Sequence, residues 1–334
     1  MTDPLSSPTQ PTPAQPTPAQ PSSGQPSAGQ HSPPGCATGT QYTLTRGDAT
    51  AVVVSLAAGL RLFSRAGTAL TESYPDDRTP PGGAGITLAP WANRIDGGRW
   101  NLNGAAQQLD ITEVPLNNAI HGLLRNTGYA LVARSPHHVL LEADIYPQHG
   151  YPFLLTHQVR YSISAELDLC VSQTLRNGSA ARAPFVLGAH PYLRIGEVPT
   201  EELTIRISAA TRLLTDERMI PRGAEAVSGP ADLRYGGVVG ELDLDVSYTD
   251  LVFDGGKARQ TLSAPDGRSV SLWQEPMCPY VQLFVTDRVP GRRRAVALEP
   301  MTGPGDAFNS GQGLGWLEPG EAFTMRWGIS ADLG

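Results

Sequence analysis

Two stretches of the chain share one design. In Phe185-Val-Leu-Gly-Ala-His190-Pro191-Tyr192 an apolar run ends on a histidine, and proline follows. In Ala295-Val-Ala-Leu-Glu299-Pro300-Met301-Thr302 an apolar run ends on a carboxylate, again before proline. A following proline disfavours helical backbone, so His190 and Glu299 are expected in extended segments, at strand ends. Burying an imidazole or a carboxylate is costly unless partners or function compensate. Partial desolvation also raises a carboxyl's pKa and makes its anion a better base. One histidine and one glutamate held on rigid strands form a plausible acid/base pair. Taken singly, each is more often a hydrogen-bonded core or turn residue. The repetition of the design is what points to chemistry. Tyr192 stands next to His190 and could line a wall.

Two further stretches place polar groups among apolar ones. In Asn118-Ala-Ile-His121-Gly122-Leu-Leu-Arg125 the glycine after His121 permits close approach of a backbone or a ligand. In Leu88-Ala-Pro-Trp91-Ala-Asn93-Arg94-Ile95 the arginine precedes the turn Asp96-Gly97-Gly98. Its fork of donors could hold a carboxylate or bridge two hydroxyls, although a lone arginine is more often in a surface ion pair. Asp250, in Tyr248-Thr-Asp-Leu-Val-Phe253, enters a short apolar strand and reads on its own as a turn former. Trp91, Tyr192, Trp273, Phe308 and Trp316 fall in or near these stretches. Aromatic faces stack on the C–H faces of sugars, but most such rings are core.

Several chemistries are disfavoured. The histidines show no H-x-x-x-H or H-x-H spacing, and there is no phosphate-binding loop, dinucleotide fingerprint or G-x-S-x-G elbow. Neither a metal nor a cofactor is expected. Arg292-Arg293-Arg294 reads as a solvated loop with some capacity for phosphate. The net charge of −7 and pI near 5.5 argue against nucleic acid. Of the 25 basic residues only Lys257 is lysine, which fits a compositional preference for arginine better than a functional one. No apolar run is long enough for a membrane span. The 3 cysteines, Cys36, Cys170 and Cys278, are too few and too scattered for a disulfide framework. Unpaired thiols fit a reducing compartment, so a cytoplasmic location is expected.

The elements that must position these residues are strands. Val52, Val54 and Leu56 alternate with Val53, Ser55 and Ala57 in the β manner. Arg99–Leu102 and Ala105–Leu109 flank Asn103-Gly104, a pair suited to the two positive φ values of a type I′ hairpin turn. Asp266-Gly267 is expected to do the same between Gln260–Ala264 and Ser269–Trp273. Further strands are expected over Val139–Ile145, Phe153–Ile163, Leu167–Arg176, Leu203–Ser208, Tyr280–Val285, Ala295–Glu299 and Ala322–Ile329. No uninterrupted amphipathic helix of 12 residues is visible. Many short strands with frequent Gly and Pro turns imply an all-β fold, best read as one large antiparallel β-sandwich over 41–334. Residues 1–40 hold 10 of the 30 prolines, a degenerate repeat of the type PTPAQ, and one charged residue, Asp3. They read as a disordered tail without a secretory signal.

Taken together, the motifs resemble those of the aldose 1-epimerase (galactose mutarotase) family. They are Pro-Trp-Ala-Asn-Arg-Ile (90–95), Ile-His-Gly-Leu-Leu-Arg (120–125), Gly-Ala-His-Pro-Tyr-Leu (188–193) and Leu-Glu-Pro-Met-Thr-Gly-Pro-Gly-Asp-Ala-Phe-Asn (298–309), in that order. Leu-Glu-Pro-Gly-Glu (317–321) before a last strand also fits, and the resemblance spans about 41–331. It implies a galactose mutarotase-like supersandwich with a sugar cleft. It also implies Glu299 as catalytic base, His190 as catalytic acid and His121 as a second active-site histidine. Arg94, Asn93 and Tyr192 would bind the sugar, with Asp250 as the candidate for the family's sugar-binding aspartate. Better-known members carry His-x-Tyr-Phe-Asn at the acid where this chain has His190-Pro-Tyr-Leu-Arg194, which suggests a distinct branch. The implied activity is cofactor-free interconversion of the anomers of an aldose, by a monomer or homodimer with no membrane or nucleic-acid partner. His190 and Glu299 are expected to face each other across a cavity of monosaccharide size. Alternatives are a hexose-6-phosphate 1-epimerase, using Arg94, Arg125 and the Arg292–Arg294 run, and a non-catalytic sugar-binding sandwich. A two-carboxylate glycosidase would need Asp306 or Glu275 opposite Glu299.

Overall fold

The structure is a computed structural model that describes residues 36–334. Most of the expected tail therefore lies outside the described residues. The part that is described, Cys36–Thr40, belongs to the folded domain instead. Ala37 N–H donates to the Asp76 carbonyl at 2.7 Å, Leu56 N–H to the Thr38 carbonyl at 3.1 Å, and Thr40 N–H to Ser55 Oγ at 2.9 Å. Thr38 is fully buried. The boundary moves because these backbone groups find partners that the repeat composition upstream gave no reason to expect.

All strand pairs in the sheets are antiparallel. One sheet has nine strands in the order Ala130–Ser135, His138–Ile145, Leu155–Ile163, Leu169–Asn177, Ala322–Asp332, Ser269–Gln274, Ala258–Ser263, Thr204–Ile207, Gly237–Val238. A second has eight: Pro221–Ala226, Ala209–Thr215, Asp245–Leu251, Tyr280–Thr286, Ala295–Met301, Gly188–Ala189 and Thr87–Leu88, with Tyr192–Leu193 also paired to Ala295–Met301. A four-stranded sheet over residues 41–69 and three two-stranded ribbons complete the framework. The longest helix among the described residues is the single turn Ala307–Ser310, so none is long and apolar enough to cross a membrane.

The alternation seen in the sequence becomes one buried and one wetter face. Along Leu155–Ile163 the inward side chains are Leu155, His157, Val159, Tyr161 and Ile163. All but His157 join one apolar core with Val281, Leu283, Val296 and Leu298 of the eight-stranded sheet. Ala295–Met301 is buried at every position, as expected of a central strand covered on both faces. The Asn103-Gly104 turn has positive φ at both residues, 52° and 87°, as the type I′ reading requires. The Asp266-Gly267 turn does not: only Gly267 is left-handed, and Gly267 N–H donates to the Ala264 carbonyl. Pro265 favours the ordinary right-handed first position, which makes a three-residue loop ending in a left-handed glycine.

Two polar side chains cross the core toward the strand that carries His190. Gln173 Nε2 donates to the Gly188 carbonyl at 3.0 Å. His157 Nδ1 is 2.7 Å from the Tyr129 hydroxyl, which lies 3.5 Å from Thr87 Oγ1. Thr87 pairs with Ala189, next to His190. Burial pushes the His157 pKa down to about 3, so it is neutral in the folded state. An unfolded histidine titrates near 6.5, so between about pH 6.5 and 3 the unfolded chain binds the extra proton and stability falls as pH falls. Buried carboxyls with raised pKa values act in the opposite direction. The His157 contribution is therefore read as a difference. Replacing His157 with Gln should flatten the loss of urea stability between pH 6.5 and 4 by up to about 1.4 kcal/mol per pH unit. Equal slopes for parent and variant would show that His157 does not titrate on unfolding.

Candidate active site

Glu299 lies in the buried central strand, opposite Gln282. On its other side Gly188 pairs with Met301 and Tyr192 with Ala297, a register that sets His190 opposite Glu299. Pro191 and Pro300 interrupt amide donation where the two chains pass, and Leu298 N–H donates instead to the Pro191 carbonyl at 3.1 Å. The result is a row of side chains across four neighbouring segments: His190, Glu299, Gln282 and Ser247. His190 Nε2 is 3.2 Å from Glu299 Oε1, and their side chains are only 4% and 3% exposed. The imidazole and carboxyl are thus in contact rather than separated by a sugar-sized gap, because one interstrand spacing is all the register leaves between them.

His121 completes the cluster from another direction. Its ring stands edge-on to that of His190, with centroids 5.3 Å apart at 86°. It sits in left-handed backbone, φ 64°, and its N–H donates to the Asn93 carbonyl at 2.9 Å. Gly122 follows with φ 76°, and a Cβ there would lie 2.1 Å from the Ala89 carbonyl oxygen. The close approach read from the sequence is therefore that of the backbone at Ala89. Tyr192 stacks on His190 at 5.2 Å and donates its hydroxyl to the Gly82 carbonyl at 3.1 Å. It is 2% exposed and backs the imidazole rather than forming an open wall.

The polar side of the site is built around Arg94. Its Nε and Nη2 donate to Glu113 Oε2 and Oε1 at 2.8 and 2.9 Å. Nη1 lies 3.4 Å from Asn93 Oδ1, and Nη2 lies 4.0 Å from Asp245 Oδ2. Gln282 Nε2 donates to Asp245, while its Oε1 accepts from Ser247 and, at 3.4 Å, from Asn93 Nδ2. Asp245 is the aspartate of the cluster. Asp250 is not part of it: that side chain is exposed and accepts from Thr211 Oγ1. Five positions separate the two on one strand, an odd offset that sends their side chains to opposite faces. Asp250 also has positive φ, 53°, in keeping with its turn-like reading. The other aromatics are occupied elsewhere. Trp91 packs edge-on to Phe308, Trp273 lies under Lys257 and Trp316 under Arg182. Arg292 donates to the buried Glu72 at 3.0 Å, which commits it outside the cluster.

Burial dominates the electrostatics. It raises the Glu299 pKa well above that of a free carboxyl, helped by Asp245 and opposed by Arg94. It lowers His190 to about 4 and His121 well below the ordinary range, and Arg94 and Arg125 push both further down. Glu299 Oε2 and the Nδ1 atoms of His121 and His190 are buried with no hydrogen-bond partner among the described residues. Three such atoms around one contact leave hydrogen-bonding capacity that the described residues do not use. One donor atom from each of His121, His190 and Glu299 lies within 4.8 Å of the others, a set able to chelate an ion. The two guanidiniums that disfavour protonation of the histidines would equally oppose a dication.

A separate polar pocket of about 670 Å³ is walled by Asp96, Arg99, Arg218, Arg222, Asp306 and Asn309. Two of its arginines are already paired, Arg218 with Asp96 at 2.6 Å and Arg222 with Asp216 at 2.8 Å, and Arg99 donates to Gln108 at 3.0 Å. Asp306 accepts from the Asp96 N–H and from Asn309, and Glu275 is paired with Arg326. Neither provides the second carboxylate that a glycosidase reading requires.

Sequence reasoning found Arg94, Asn93, His121, His190 and Glu299, all of which the fold gathers. It missed Asp245, Gln282 and Glu113. Asp245 had an available signal, since it opens the same strand as Asp250 beside Leu244. Glu113 and Gln282 carried none, because each acts through a partner distant in sequence.

Residues 41–330 match the family described as Aldose 1-epimerase. The uncharacterized protein YihR of Escherichia coli (strain K12) is 30% identical over 303 residues, covering 87% of this chain and 93% of that protein. The fold is shared with the GalM/aldose epimerase homologue of C. elegans, at a TM-score of 0.78 and 16% identity, covering 88% of this chain and 98% of that one. It is also shared with galactose 1-epimerase of Lactobacillus acidophilus NCFM, at 0.74 and 20% identity, covering 87% and 94%. The sandwich, the match along nearly all of the described chain and the YihR relationship agree, and the protein belongs to the aldose 1-epimerase family.

Proposed function

We propose that the protein interconverts the α and β anomers of a free aldohexose, by opening and reclosing the pyranose ring without a cofactor. The observation that carries this reading is the direct contact of His190 with Glu299, surrounded by buried polar atoms that lack partners. The hydroxyl at C1 and the ring oxygen are bonded to the same carbon. An acid and a base that serve them must be near neighbours, as these two are. Glu299 takes the proton from the C1 hydroxyl while His190 protonates the ring oxygen, and the C1–ring oxygen bond breaks to leave an aldehyde. Rotation about C1–C2 presents the other carbonyl face. Reversal of both proton transfers then closes the ring to the other anomer. His121, Arg94, Asn93 and Asp245 are assigned to the sugar hydroxyls.

The pair works with a single shared proton. Before opening it is on the imidazole, and after opening it is on the carboxyl. Burial favours the second arrangement, neutral acid beside neutral imidazole, in the free site, so opening proceeds from the less populated tautomer with the proton on the imidazole. Such a pair titrates with two macroscopic pKa values. Below the lower it holds two protons and has no base; above the upper it holds none and has no acid. A bell-shaped rate profile is therefore expected, with its acid limb below that of a free histidine because His190 is depressed. Polarimetry on fresh α-aldoses from pH 4 to 9 reads it directly, and a rate without an alkaline limb would contradict the one-proton pair. Glu299→Gln and His190→Asn should each lower kcat by roughly 10²–10⁴-fold with little change in melting temperature. Near-parental activity in Glu299→Gln removes the base assignment. Sugar binding without anomer exchange in the parent favours the binding-module reading.

One observation favours a phosphorylated substrate as the second reading. Arg125 is half-buried, donates to the Ile120 carbonyl at 3.3 Å, and has no ion-paired carboxylate among the described residues. A partly desolvated guanidinium without an anion is costly. Comparing glucose with glucose 6-phosphate by the same assay separates the readings. A kcat/KM at least tenfold higher for the phosphorylated sugar, lost in Arg125→Gln, would establish the second.

A further inference from the structure

We infer that Glu113 is a positioning residue for catalysis: it fixes the direction in which Arg94 presents its free donors and offsets the charge that Arg94 places on the acid/base pair. This inference rests on the proposed epimerase reading. Glu113 meets the guanidinium with both carboxylate oxygens, at 2.8 and 2.9 Å. A planar fork engaged in this way has only one orientation, so the remaining donors point toward Asn93 and Asp245. An exposed ion pair of this kind would contribute little, but here the side chains are 11% and 17% exposed.

Glu113 is itself held from behind. Its oxygen accepts from Asn118 Nδ2 at 3.1 Å, and the backbones of Glu113 and Asn118 exchange hydrogen bonds at 2.9 and 3.2 Å. The buried Asn118 is clasped by Arg218, whose carbonyl accepts from Nδ2 at 2.9 Å and whose Nη2 donates to Oδ1 at 3.1 Å. Asn118 sits on the short ribbon in which Arg94 pairs with Ile120, so brace and arginine share one rigid element. Nothing in this arrangement touches the reacting atoms directly, and Glu113 acts through Arg94.

The electrostatic consequence separates this role from a purely structural one. The charged and titratable groups around Glu299 are His190, His121, Asp245, Arg94 and Tyr192, and those around Glu113 are Arg94, Arg125 and Asp245. Removing the Glu113 charge leaves Arg94 less compensated, which favours loss of protons from both Glu299 and His190. Both limbs of the rate profile then move to lower pH.

The test uses Glu113→Gln and Glu113→Asp in the full chain, with two measurements. Calorimetry reads binding of the 1,5-anhydro analogue of the best sugar, which has no C1 hydroxyl and cannot open. Polarimetry reads the pH profile. Glu113→Gln should bind the analogue about tenfold more weakly and shift both pH limbs downward. Glu113→Asp, which keeps the charge but shortens the reach, should bind weakly yet leave the limbs in place. Parental affinity and parental limbs in a Gln variant of unchanged melting temperature overturn the inference. Should that variant melt early, parental affinity in Glu113→Asp overturns it. A parent protein that neither binds the analogue nor exchanges anomers overturns the epimerase reading itself, and this inference with it.

Discussion

The site depends on one register. Pairing of Gly188 with Met301 and of Tyr192 with Ala297 sets His190 opposite Glu299. A slip of one residue would turn every side chain of the segment to the other face and separate the pair. That register is held from several directions. His190 N–H donates to the Ile86 carbonyl at 3.0 Å and its carbonyl accepts from Gly85 at 2.9 Å. Gln173 and the Tyr129–His157 couple reach across the core to the same strands. Polar residues buried inside a sandwich are usually destabilising; here they fix which of two possible faces the histidine occupies.

Once the register is set, burial determines the proton chemistry. The same exclusion of water that raises Glu299 lowers His190, so the carboxyl holds the proton more firmly than the imidazole. This reverses the order of the free groups. The pair remains neutral at rest and need not maintain an ion pair in a low-dielectric site. Arg94 favours the anion of Glu299, and Asp245 opposes it. Glu113 then matters as much for limiting the field of Arg94 as for holding its side chain. Asp245 and Glu113 thus stand against the guanidiniums of Arg94 and Arg125 in setting the field at the pair.

The two His-Pro and Glu-Pro stretches were legible because burial and proline leave marks in the local sequence. Apolar runs identified strands, Asn103-Gly104 identified a hairpin, and the glycine after His121 identified a close approach. What was not legible was distance. Contact between His190 and Glu299 follows from pairing between segments remote in the chain, and no local pattern encodes which rung faces which. Asp250 was named and Asp245 overlooked for the same reason: both lie on one strand, and only the parity of the pairing decides which faces the cluster. Glu113 was invisible because its function is to complement another side chain. The end of the tail was misplaced because Thr38 is buried by its neighbours in space, not by its composition.

Backbone strain at the site follows the same logic. Asn93 and His121 both occupy left-handed conformations, φ 55° and 64°, and each such residue costs roughly 1–3 kcal/mol relative to relaxed backbone. Asparagine and histidine are both among the side chains that enter this region more readily than most. The compensation is geometric. His121 N–H bonds the Asn93 carbonyl, Leu123 N–H bonds the Ala89 carbonyl at 2.8 Å, and Gly122 alone fits between them. The kink at Asn93 turns its amide toward Gln282 and Arg94 together, and the kink at His121 turns its ring edge-on to His190. Regular strands would have sent both side chains along the alternating faces of the ribbon, away from the row that contains Glu299. The sheet supplies the acid/base contact by register, and the remaining polar groups reach it only where the backbone leaves the regular pattern.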